Sequence, residues 1–135
     1  MPMKLIRIAL ILNTNNNLRF ASIFSPFDKI ITSQFNHPQQ FDETIYSPDI
    51  IVVDTDIAET SALGIIKMLI EKSPHAKIIA ICTQPDVDQA RALIKIGVTG
   101  IFLSNELTCG FAHVAKTIYM GRIVISPQIL KQMIA

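Results

Sequence analysis

At 135 residues, half of them apolar, the chain has enough hydrophobic material for one core and one domain. Twelve basic and eleven acidic residues leave a formal charge of +1, without the electrostatic footprint of a nucleic-acid binder. Two cysteines (Cys82, Cys109) are too few for a disulfide framework. His37, His75 and His113 show no metal-ligand spacing, so no metal site is expected from them. Apolar runs such as Ile8 to Leu12 are far too short to cross a bilayer, and the N-terminus has no signal-peptide pattern; a cytoplasmic protein without membrane contact is expected.

Strand-like runs recur at Leu5–Leu12, Lys29–Thr32, Ile50–Val53, Ile78–Ile81 and Gly100–Leu103. Short helices are predicted after the first two, over Asn17–Phe24 and Pro38–Tyr46. Helical spacing is clearer in Ala62–Lys72 (Leu63, Ile66, Ile70), Asp86–Ile96 (Val87, Ala90, Ile94) and Leu107–Met120 (Leu107, Phe111, Val114, Ile118). Alternating strand and helix predicts an α/β domain, a (βα)5 doubly wound parallel sheet in flavodoxin-like strand order 2-1-3-4-5. This domain spans residues 1–122. Residues 123–135 form a terminal segment in which Ser126-Pro127 opens a helix, Ser as cap and Pro at the first helical position. Two readings stand open for that helix: a linker to an output domain, or a closing helix that packs back on the core.

The run Pro48-Asp49-Ile50-Ile51-Val52-Val53-Asp54 carries the most chemistry. A Val/Ile strand buried on both faces ends in a carboxylate, and in such folds chemistry sits beyond the carboxyl ends of the strands. Asp54 is therefore the candidate reactive residue, against the plainer reading of a solvated acid at the sheet's lip. On that plainer reading Asp54→Asn changes stability by no more than about 0.5 kcal/mol. Asp56 and Glu59 are loop acids of the kind that favour a helix N-terminus. Asn13-Thr14-Asn15-Asn16-Asn17 lacks the glycine that a phosphate-binding turn needs. No neighbouring cation argues for an activated Cys82 thiol.

Three segments, Ser47–Asp54, Pro74–Ile81 and Ile96–Leu103, taken in order, resemble the receiver domain of bacterial two-component response regulators. Gly121–Pro127 looks like the end of receivers attached to a LuxR-type helix-turn-helix. The resemblance covers roughly residues 4 to 126. It implies an aspartate that accepts a phosphoryl group from a histidine kinase, with Mg²⁺ held by that aspartate and an acidic pair. A hydroxyl and a lysine then bind the phosphoryl oxygens, so the chemistry is positioning plus charge neutralisation.

Mapped residue by residue, the resemblance puts Asp54 at the phosphoacceptor position and little else in place. The acidic pair falls on Asn13 and Thr14, leaving Asp54 and at most Asp56 for a metal that prefers carboxylates. The hydroxyl position falls on Cys82, beside Thr83; a thiol is a weak donor. The lysine position falls on Ser104 and the switch aromatic on Ile101. The domain is thus expected to be a degenerate, or pseudo-, receiver: not an enzyme, with no cofactor, dimerising or binding a histidine kinase or regulator. It would regulate transcription and reach DNA only through an output domain. Candidate interface residues are Arg91, Lys95, Asn105, His113, Lys116 and Tyr119, on surfaces that receivers commonly use to self-associate. One alternative is an active phosphoacceptor, phosphorylated on Asp54 with an unusual Mg²⁺ site; another is a stand-alone adaptor that occupies a kinase or regulator without chemistry.

Overall fold

The computed structural model describes residues 5–12, 22–24, 29–35, 47–56, 61–106 and 110–134. Strands β1 (Ile6–Ile11), β2 (Ile30–Phe35), β3 (Ile50–Asp54), β4 (Lys77–Cys82), β5 (Gly100–Leu103) and β6 (Val124–Ile125) form one sheet in the order β2-β1-β3-β4-β5-β6. All five pairings are parallel. The predicted order 2-1-3-4-5 is present, and β6 adds a sixth strand beside β5 that periodicity did not reveal, because two residues are too few to show alternation.

The strands bury both faces. Ile8, Leu10, Leu12, Ile50, Val52, Ile79, Ile81 and Phe102 point to one side, with Phe24 and the helix Phe111–Tyr119 (α3). Phe111 meets Phe24 and Phe102 edge-on, with ring centroids 6.1 and 5.2 Å away. Ala9, Ile11, Ile51, Val53, Ile78, Ala80, Ile101 and Leu103 point to the other side. There the helices Ala62–Lys72 (α1), Val87–Lys95 (α2) and Pro127–Ile134 (α4) cover them. Residues on a strand alternate in face, and this parity divides a continuous apolar run between two layers.

The helix faces differ slightly from their predicted stripes. In α1 the buried residues are Ile65, Ile66 and Leu69, with Leu63 and Ile70 at the margin. In α2 they are Ala90 and Leu93, and in α3 Phe111, Ala112, Ala115 and Ile118. In α2 and α3 the small side chains of Ala90, Ala112 and Ala115 are among the buried residues, so a stripe drawn through the largest side chains is rotated from the buried face. Of the first two predicted helices, residues 22–24 are helical; the rest of Asn17–Phe24 and all of Pro38–Tyr46 lie outside the described residues.

Two helices end in the same glycine motif. Gly97 follows α2 with φ +109°, donates to the Ile94 carbonyl, and lets Val98 donate to Leu93. Gly121 follows α3 with φ +101° and the same pair of bonds, to Ile118 and, from Arg122, to Thr117. These are Schellman caps, and a left-handed residue without a Cβ is what closes them.

The terminal segment packs on the domain. Ser126 caps α4 as its sequence suggests, its hydroxyl accepting from Ile129 N at 3.4 Å and its carbonyl from Leu130 N at 2.9 Å. Ile129 is fully buried in the cluster that also holds Ile101, Leu103, Leu93 and Val98.

Candidate functional site

Asp54 is the last residue of β3 and is 7% exposed. The picture of a solvated acid at the lip of the sheet is therefore corrected. Parallel pairing of β3 with β4 runs through Asp54↔Ile81, so the backbone carries the carboxylate into the layer instead of past it. Thr55, also buried, continues the ladder: its amide donates to the Ile81 carbonyl at 3.0 Å and its hydroxyl to the same oxygen at 3.3 Å.

Beyond these strand ends lies a cavity of about 500 Å³, walled by Thr55, Asp56, the segment Cys82–Gln89 and Gln132 of α4. Asp86 caps α2 from this wall, accepting from Gln89 N at 3.0 Å. Its charge is negative throughout. Asp56, Asp86 and Asp88 line it, and no Lys, Arg or His stands among the described lining residues.

Asp56 is exposed, and its Oδ2 accepts from the Thr83 hydroxyl. The candidate second acid and the candidate hydroxyl are thus joined to each other. Cys82 ends β4, 4% exposed, with its Sγ 3.7 Å from the Gln89 Oε1 to which it donates. Burial pushes its thiol up from the ordinary 9.0 to about 11; a hydrogen bond with Thr55 works the other way, and the carboxylates of Asp56, Asp86 and Asp54 add to the rise. Such a thiol stays protonated, which fits a small apolar residue and not a nucleophile.

Ser104 opens a short 3-10 turn, Ser104–Glu106, immediately after β5. It supplies a half-buried hydroxyl where the resemblance places a lysine. Ile101, at the switch position, is fully buried in the α1–α2 layer. Asn13, Thr14 and Glu59 lie outside the described residues.

The residues described do not by themselves fit Mg²⁺. Asp56 is committed to Thr83, and no group of three His, Cys, Asp or Glu side chains placed to hold a metal occurs among the described residues.

The six candidate interface residues are spread over three elements. Arg91 and Lys95 are exposed on α2, in one layer; His113 is exposed and Lys116 and Tyr119 half-buried on α3, in the other. Asn105 is exposed in the turn after β5. The strand between the two layers, β5, is flanked by β6 instead of forming an open edge, and Arg91 spends a guanidinium N–H on the Met133 carbonyl of α4, at 3.3 Å.

Sequence reasoning missed Glu106. Its Oε1 accepts from Leu103 N at 2.7 Å and its Oε2 from Ser126 Oγ at 2.9 Å, joining the turn after β5 to the terminal segment. The capping pattern at Ser126-Pro127 was legible, but nothing local to Glu106 marked its partner twenty residues on.

A doubly wound parallel sheet ordered 2-1-3-4-5 is the flavodoxin-like arrangement, and solved structures of receiver domains share it. A LuxR-family two-component response regulator from Aurantimonas sp. SI85-9A1 superimposes with a TM-score of 0.82 at 14% identity, covering 96% of each chain. The isolated REC domain of RcsB from Salmonella enterica serovar Typhimurium, in the apo form, gives 0.83 at 10% identity over 96% of this chain and 98% of that one. A longer Salmonella typhimurium RcsB structure, described for its conformational dynamism in DNA interaction, gives 0.85 at 10% identity, over 96% of this chain and 69% of that one. The chain has the fold of response-regulator receiver domains. Its sequence matches no protein-family model and no curated protein.

Proposed function

We propose that the chain is a signal-transduction receiver module that works without phosphorylation, by self-association or by binding a histidine kinase or regulator in the cytoplasm. The observation that carries this reading is the wall of the cavity at the strand ends: three aspartates, no basic residue among those described, and the Asp56–Thr83 bond where a phosphoryl group would need a free hydroxyl. A phosphoryl dianion placed there would meet like charge, with Ser104 in place of a fixed cation. The likeness to a LuxR-family regulator and to RcsB supports regulation of transcription, exerted in this reading through a DNA-binding output, since the chain itself is nearly neutral.

Without a phosphoryl trigger, the competent surface is the one already populated, and an isologous homodimer is the simplest closed assembly. Sedimentation at micromolar concentration, with and without a small-molecule phosphodonor and Mg²⁺, tests this. A dimer unchanged by the phosphodonor is expected. A phosphodonor-dependent dimer would overturn the proposal, and a monomer in both conditions would leave the adaptor reading.

A further inference from the structure

The segment after α3 is held to the domain by a short strand pairing and a few hydrogen bonds, one of them to the carboxylate of Glu106. β6 pairs with β5 at two positions, Gly100↔Val124 and Ile101↔Ile125, extended by Val124 N to the Thr99 carbonyl at 2.9 Å and Ser126 N to the Ile101 carbonyl at 2.7 Å. Of the eight residues in α4, Ile129 alone is buried, while Leu130 and Ile134 are 44% and 78% exposed. A helix of this length does not persist in water by itself, so its order comes from docking. Besides Ile129, Met133 packs on the same cluster, and two hydrogen bonds secure the helix: Arg91 on the Met133 carbonyl near its C-terminus, and Glu106 on the Ser126 hydroxyl at its N-terminus.

Glu106 reaches further than its bond to the cap. Its other oxygen holds the amide of Leu103, the last residue of β5, and Ser104, at the lysine position, lies between them. Ser126 is fully buried, so this charge-assisted bond is shielded from competing water. At the far end of α4, Gln132 forms part of the cavity wall with Asp56, Cys82 and Thr83. One short segment therefore touches the end of β5, the cluster of Ile101, and the mouth of the candidate site.

We propose that residues 124–134 are a detachable strap latched by Glu106, with a docked state that seals the apolar face around Ile101, Leu93 and Leu103 and an undocked state that opens both this face and the cavity. The strap takes the place of an aromatic switch: Ile101 has no inward and outward rotation to offer, and the cover over it moves instead. The weak attachment makes undocking a local opening that leaves the sheet intact. This inference rests on the receiver reading only for the comparison with a switch; the movement itself does not depend on self-association.

Backbone hydrogen exchange on the whole chain, resolved by residue, tests it. In Glu106→Ala the amides of residues 124–134 are expected to exchange at least tenfold faster than in the unaltered protein, while those of β1, β3 and β4 keep their protection. Should that variant fail to fold, Ser126→Ala, which removes the hydroxyl and leaves Leu103 held, is read in the same way. Unchanged exchange in 124–134, or exchange there that rises only together with the core strands, would overturn the strap. Neither result depends on sedimentation, so a monomer would sink the self-association reading without touching this one.

Discussion

The hydroxyl of Thr83 donates to Asp56, so the one proton it could offer a phosphoryl oxygen is already spent on a carboxylate. With Asp86 and Asp88 on the same wall, an incoming phosphate meets negative charge and no described basic residue lining the cavity. Incubation with a small phosphodonor and millimolar Mg²⁺ is accordingly expected to leave the intact mass unchanged. A stoichiometric gain of one phosphoryl group, absent in Asp54→Ala, would sink the phosphorylation-independent reading.

Asp54 is expected to matter for stability in a way its sequence context does not suggest. It is 7% exposed and engaged with its surroundings, so Asp54→Ala removes an interaction made by a buried carboxylate. The expected cost is about 1–3 kcal/mol in denaturant unfolding, with Asp54→Asn costing less because it keeps an acceptor. A change within about 0.5 kcal/mol for Ala would show that the carboxylate is solvated after all.

The thiol of Cys82 gives a pH signature. Its folded pKa, raised from 9.0 to about 11, means that the folded state holds the proton more tightly than the unfolded chain does. Its contribution is complete below about pH 9 and lost as pH rises through about 11, a total of ~3 kcal/mol. In a Cys109→Ser background, unfolding followed between these pH values is expected to show this loss, and Cys82→Ser to abolish that part of the slope. Alkylation of Cys82 in the folded protein is expected to be slow at pH 8. Rapid modification there would contradict its burial.

Gly100 lies where α3 presses closest on the sheet. A Cβ there would stand 2.7 Å from Ile118 Cδ1 and 3.0 Å from Ile79 Cγ1. Gly100→Ala is expected to cost roughly 1–3 kcal/mol through overpacking. Ile118→Val removes the nearer methyl, so the double variant should lose less than the sum of the two single losses. Additive losses in a thermal or denaturant series would place the strain elsewhere.

Much of the fold was written locally. Strand cores such as Ile50–Val53 and Gly100–Leu103 are continuous apolar runs, and a chain with such runs between helical stripes has few ways to bury them other than a parallel sheet between two helical layers. The cap at Ser126-Pro127 was equally legible, because it depends on residue type at one place in the chain. Tertiary structure decided the rest. Asp54 is buried because of the strand that pairs beside it; Asp56 is committed because Thr83, distant in sequence, comes within reach; and Glu106 joins Leu103 to Ser126 because β6 returns along β5. Periodicity reports which face of an element is apolar, whereas a side-chain hydrogen bond between separate elements depends on their distance and angle, which no single stretch of sequence encodes.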